Sequence, residues 1–226
     1  MSSNQTPSAG DAGCPAPLLN LCHELGDPEY AILGDGNASA ISECGTAFWV
    51  KASGCSLSTM TARDLVQVRL DVALAMLDGG DLTDEGVRVA LMSARIPPDA
   101  PPPPSVETVM HAALLGLPGV KYVGHTHPTA VNVITCSTRF EEALAGRIFP
   151  EEVVICGRES LLVPYVDPGL ALGREVRRLA SDFVHRHGEF PRTIYLKNHG
   201  LIALGTTARE VLNITMTSTK AARIRA

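Results

Sequence analysis

Between Ile96 and Ser105 the chain carries six prolines in ten residues. Each proline fixes φ at about −65° and lacks an amide donor, so this stretch is neither helix nor central strand. It is a domain linker or a stiff surface loop. Neither flank alone is a strong candidate for an independent core, so the loop is the preferred reading and the chain is taken as one domain. Hydrophobic residues make up 45% of the 226. That is ample material for one sizeable core and excludes global disorder.

The pattern on either side of the loop alternates between two periodicities. Leu18 to Leu25 predicts a helix with Leu18, Leu21, Cys22 and Leu25 on one face. A glycine-rich turn, Leu33 to Ser39, leads into two short strands, Ala38 to Ile41 and Ala47 to Lys51. Thr61 and Asp64 have the spacing of a capping box, and Leu65 to Val72 alternates like a strand. Helices are expected over Thr83 to Ser93, Val106 to Leu115, Ala130 to Ser137 and Pro168 to Val184. Strands are expected at Val120 to Val123, Val153 to Ile155, Leu161 to Val163, Thr193 to Leu196 and Leu201 to Leu204. Thr207 and Glu210 box the start of a final helix. Interleaved helices and strands make the class α/β.

Composition excludes several functions. The net charge is −5 and no long basic stripe is present, which argues against nucleic acid as a partner. Aromatic residues are 4%, too few for base-stacking platforms. No apolar run approaches the ~20 residues that cross a bilayer, so no membrane partner is expected. Met1 to Pro17 has neither a basic nor an apolar signal region and reads as a disordered tail, leaving residues 18–226 as the folded domain. The six cysteines show no C-x-x-C pairing. Reduced thiols in a cytoplasmic protein are expected.

The strongest chemical signal is Gly124-His125-Thr126-His127-Pro128. On a strand, residues i and i+2 point to the same face, so both imidazoles project together and can chelate one ion. A third imidazole would complete a catalytic-type site with an open position. His199, in a polar insertion between two apolar strands, is the candidate. His185-Arg186-His187 has the same spacing but ends a helical pattern, where i and i+2 lie roughly 200° apart around the axis. Those side chains diverge and serve as an internal control. Glu107, at a helix start after the proline loop, is the candidate acid/base, or it merely favours the helix dipole. His111, four residues on, shares its face and reads as a supporting or packing residue. His23 has no evident partner.

Gly36-Asn37-Ala38-Ser39, Lys51-Ala52-Ser53-Gly54, Pro104-Ser105-Val106-Glu107 with His111, Gly124 to Pro128 and Asn198-His199-Gly200-Leu201-Ile202 follow in that order. This ordered set resembles the class II aldolase/adducin family over the whole chain from Leu18 onward. The resemblance implies a single three-layer α/β/α domain with a largely antiparallel central sheet. It implies a lyase that performs aldol cleavage of a small hydroxy-ketone, sugar (phosphate) or hydroxy-oxo-acid through a metal-stabilised enediolate. One Zn2+ per chain, or Mn2+ or Co2+, would be held by His125, His127 and His199, with Glu107 catalytic. Asn37, Ser53, Gly54 and Ser105 match the family's substrate-binding positions. A homotetramer with sites near subunit interfaces is also implied. Alternatives are a decarboxylase, epimerase or dehydratase on the same site, or an adducin-like scaffold without catalysis. Val106 stands where sugar-phosphate aldolases often have a second serine, Gly34 near a frequent threonine, and Pro150 near a proton-donating tyrosine.

Overall fold

The computed structural model describes residues 15–97 and 102–226. Most of the expected tail, Met1 to Cys14, and residues 98–101 of the proline loop lie outside the described residues. The first helix, α1 (Ala16–Leu25), starts two residues earlier than the sequence pattern indicates. Pro17 is tolerated in its first turn, where an amide donor has no helical partner anyway.

Among the described residues, eight strands form one sheet in the order β4-β3-β2-β1-β5-β8-β7-β6. They are β1 (Asn37–Ile41), β2 (Ala47–Lys51), β3 (Leu65–Arg69), β4 (Arg95–Ile96), β5 (Tyr122–Thr126), β6 (Leu161–Val163), β7 (Thr193–Leu196) and β8 (Gly200–Gly205). Only β6 and β7 pair in parallel; every other neighbouring pair is antiparallel. The remaining helices are α2 (Leu70–Asp78), α3 (Asp84–Ser93), α4 (Thr108–Leu115), α5 (Thr129–Thr135), α6 (Phe140–Ala143), α7 (Pro150–Cys156), α8 (Leu170–His187) and α9 (Ala208–Arg225).

Alternation along the strands divides the core. Phe48, Val50, Val66, Val68, Val123, Ile194, Ile202 and Leu204 pack with α2, α3, α4 and α8. Ala38, Ala40 and Ala203 pack with α1, α9 and Cys156 of α7. Tyr195 and Leu201 join α5, α6 and α9. The result is three layers, helices on both faces of a mostly antiparallel sheet. Helix α4 is buried on all sides, from Thr108 to Leu115, because it lies in the helical layer over the sheet centre and packs against α8. At about 25 cal/mol per Å² of apolar area, burial on this scale is the main stabilising contribution.

Two expectations are corrected. Val153 to Ile155 is not a strand; it lies inside α7. Pro150 sits in the first turn with Glu151 and Glu152, a favourable helix start, and packing of Glu152 and Cys156 into the interior overrides the β-branched run. The strand expected over Leu65 to Val72 ends at Arg69, and Leu70 opens α2. Ala73, Met76 and Leu77 are its buried residues, a helical spacing that the preceding alternation masks. The box at Thr207 and Glu210 is present, with the Thr207 hydroxyl accepting from the Glu210 amide at 3.2 Å.

The far end of the proline loop returns to the sheet. The Ser53 amide donates to Pro103 O at 2.9 Å and the Ser105 amide to Lys51 O at 3.2 Å. The loop is therefore fastened alongside the end of β2. It delivers Ser105 and Glu107 to the start of α4, above the central strands β1, β5 and β8.

Candidate functional site

Three adjacent strands build the site floor. In β5, His125 faces the α4 layer, as its registered neighbours Asn37 and Ile202 do. The polar knot after β7 returns His199 to the same place, with Asn198 at φ 55°. Gly200 is required there. A Cβ at that position would fall 2.5 Å from Thr126 O and 2.7 Å from a His127 ring carbon. Gly36, at φ 67°, likewise brings its turn within 2.7 Å of His125 O for any added Cβ.

The three imidazoles converge. His125 Nε2 lies 3.0 Å from His127 Nε2 and 3.2 Å from His199 Nε2. One ligating atom from each residue falls within 4.8 Å of the other two. His125 is wholly buried. Its Nδ1 donates to Leu201 O at 3.0 Å, which leaves Nε2 as the bare lone pair facing the centre. Burial holds the His125 imidazole well below its usual pKa, with His199 adding to the effect. His127 is pushed down to about 3 by burial and then by the two neighbouring imidazoles. Three Nε2 atoms meet at one point, and that of His125 presents its lone pair there. This donor set fits a divalent ion with an open coordination position.

Glu107 reaches the same centre. Its Oε1 lies 3.3 Å from His199 Nε2 and its Oε2 3.5 Å from His125 Nε2. Asn37 Nδ2 donates to Oε2 at 2.6 Å. The Ser105 hydroxyl accepts from the Glu107 amide at 3.3 Å. Glu107, Asn37 and Ser105 are thus brought together with the triad. Ser53 and Gly54 lie in an exposed turn after β2, where the Ser53 amide bonds to the proline loop.

Several residues escaped the sequence reading. Asp35 Oδ2 stands 3.8 Å from His127 Nδ1. Buried Lys51 donates to Gly34 O at 3.1 Å, and burial lowers its pKa. The Gly-Asp-Gly turn was the signal available for Asp35. His23 is accounted for by Met60 O at 2.7 Å and takes no part. Near the expected tyrosine, Pro150 begins α7. Glu152 is buried against Arg147 and Arg225, both at 3.3 Å. None of the five described cysteines is in a disulfide. No described helix is long and apolar enough to cross a membrane.

Known proteins share this arrangement of chain. The model of the class II aldolase and adducin N-terminal domain matches residues 16–226. The N-terminal class II aldolase domain of a conserved Thermoplasma acidophilum protein superposes with a TM-score of 0.72 at 27% identity, over 99% of this chain and 98% of that one. L-fuculose-1-phosphate aldolase from Thermus thermophilus superposes with a TM-score of 0.66 over 92% and 90% of the two chains. At 17% identity that likeness is one of fold alone. An uncharacterized oxidoreductase of Bacillus subtilis, YuxG, is 31% identical over 160 residues, 71% of this chain. The match spans 21% of that relative, so the chain covers about a fifth of its length. The chain belongs to the class II aldolase and adducin N-terminal domain family.

Proposed function

From that membership we propose that the chain is a metal-dependent lyase that breaks a carbon–carbon bond beside a carbonyl. The observation that carries the reading is the meeting of three imidazole Nε2 atoms with one carboxylate. His125, His127 and His199 would hold one Zn2+, or Mn2+ or Co2+. Once bound, such an ion supplies Lewis-acid polarisation of a carbonyl oxygen. The substrate class is a small hydroxy-ketone, sugar or sugar phosphate, or hydroxy-oxo-acid.

The chain's own groups do the rest. Breaking the bond leaves its electron pair on the carbon beside the carbonyl. Glu107 lies beside two of the imidazoles, within reach of a substrate held at the centre; once protonated from water, its carboxyl group gives that proton to the carbon and is left as the carboxylate. Asn37 and Ser105 flank Glu107 and orient the substrate. The turn amides around Gly36-Asn37 and Ser53-Gly54 are available for an anionic group. The reading carries with it a homotetramer and a role in cytoplasmic carbohydrate metabolism.

A second reading is a decarboxylase on the same site. Aldol cleavage also removes a proton from the departing hydroxyl, whereas loss of carbon dioxide needs only the proton returned to carbon. Pro150 stands near the expected tyrosine, and Glu152 is tied to two arginines, so neither supplies that second transfer.

Elemental analysis of wild type and His199→Ala tests the site. About one zinc, manganese or cobalt per chain, lost in the variant, is the expected result. Hydroxy-ketones and hydroxy-oxo-acids, with and without phosphate, are then assayed for released aldehyde or carbon dioxide. A chain that takes up no stoichiometric metal even with added zinc would sink the lyase reading and leave the scaffold.

A further inference from the structure

Glu107 is fastened from behind. Asn37 Nδ2 donates to Glu107 Oε2 at 2.6 Å. Asn37 Oδ1 meets His111 Nε2. His111 Nδ1 lies 2.6 Å from Ser39 Oγ. Asn37, Ser39 and His111 are all buried, the last two completely.

Chemistry gives each link one direction. A carboxylate accepts, so Asn37 turns its amide nitrogen to Glu107 and its carbonyl oxygen away. That oxygen also only accepts, so His111 carries its proton on Nε2. Nδ1 is then a bare lone pair, and the Ser39 hydroxyl donates to it. Burial pushes the His111 pKa down to about 4, in keeping with one proton on the ring. The geometry follows from two periodicities: Asn37 and Ser39 are two apart on β1, and Glu107 and His111 are four apart along one face of α4.

We propose that Ser39 and His111 are positioning residues for Glu107, acting through Asn37 as a directional hydrogen-bond relay. The proposal rests on the reading of Glu107 as the proton-transfer group and adds two residues to it. A carboxylate torsion has broad, weak preferences of its own, so nothing intrinsic to Glu107 sets the plane of its two oxygens. The relay sets it, with Oε2 toward His125 and Oε1 toward His199. A histidine buried only for packing would be content with either ring proton; this one is committed at both nitrogens.

Two measurements on the full chain test this. Long-range proton–nitrogen correlation NMR on protein labelled at histidine nitrogen reads the ring proton of His111. A proton on Nε2 is expected; a proton on Nδ1 overturns the relay. The second measurement follows exchange of carbon-bound hydrogen of dihydroxyacetone into deuterated water by the zinc-loaded protein. Ser39→Ala and His111→Leu should lower kcat roughly 10-fold or more, with KM and zinc content unchanged. His111→Gln, which keeps a donor toward Asn37, should recover most of the rate. Equal losses in the Gln and Leu variants, or a change confined to KM, would overturn the positioning role. Ser39→Ala removes a single hydroxyl and keeps the test open if His111→Leu does not fold. A wild type that exchanges no hydrogen counts against the reading of Glu107, while the His111 proton still decides the relay.

Discussion

The chain spells His-x-His twice, and the two copies could hardly differ more. His125 and His127 leave a strand and its exit side by side, with Nε2 atoms 3.0 Å apart. His185 and His187 occupy the last turn of α8. There the His187 ring lies over Phe183, with centroids 4.2 Å apart, and its Nε2 is 3.7 Å from Glu159. At the helix C-terminus such side chains favour the dipole, and Gly188 at φ 73° stops the helix. Spacing in sequence becomes ligand geometry only through the period of the element that carries it.

The most drastic way to break the comparison is His127→Ala. Metal content measured by elemental analysis should fall from about one per chain to near zero, because two imidazoles make a far weaker site than three. Retention of full metal would refute the strand argument. Glu107→Gln sharpens the same region by separating holding from turning over. We expect stoichiometric metal with turnover lowered about 10²–10⁴-fold, the usual range for loss of a general acid/base. Loss of metal as well would make Glu107 a ligand or a structural support.

A pH titration separates buried from exposed histidine. His111 is pushed down to about 4 by burial, against an ordinary value of 6.5. The unfolded chain therefore takes up this proton first as the pH falls. The sign is that of a neutral buried imidazole: its contribution is complete above about pH 6.5 and is lost progressively toward pH 4, on the order of 3 kcal/mol in all. Urea unfolding at a series of pH values should show that acid limb, to which His125 and His127 add with the same sign, and His111→Gln should reduce it by about that amount. An unchanged limb would assign the acid sensitivity elsewhere. The smallest effect belongs to the control. His185→Ala with His187→Ala should leave metal content unchanged and stability within about 0.5 kcal/mol, as for exposed positions. Equal metal loss in this double variant and in His127→Ala would erase the distinction between the two copies.

Local patterns made much of this legible. The His125–His127 pair, the polar knot at His199 and the capping box at Thr207 are short-range features, and each lies close to where the residues indicated, although β5 ends at Thr126 and His127 stands one residue past it. Two elements defeated local reading for opposite reasons. In α7 a β-branched run is outvoted by its proline-and-glutamate start and by burial of Glu152. In α2 a strand-like alternation runs up to a helix with no cap to announce it. The relay behind Glu107 had a different obstacle. Asn37 is 70 positions from Glu107 and Ser39 is 72 from His111, so only the β1–α4 packing brings them into contact. His111 could be assigned a supporting role from its helix face, but the identity of what it supports could not be read from spacing.

The central strand order also sets a clock. His199 follows His127 by 72 residues (199 − 127), and β8 pairs with β5 only after both exist. At ~5–20 residues per second of synthesis, the first two imidazoles wait roughly 4–14 s for the third. During that interval β5 lacks one of its two sheet neighbours, and only two of the three imidazoles are present. On the metal-site reading, full coordination would have to wait for the last hairpin to close onto the sheet, and a loaded site would certify that the C-terminal strands have arrived.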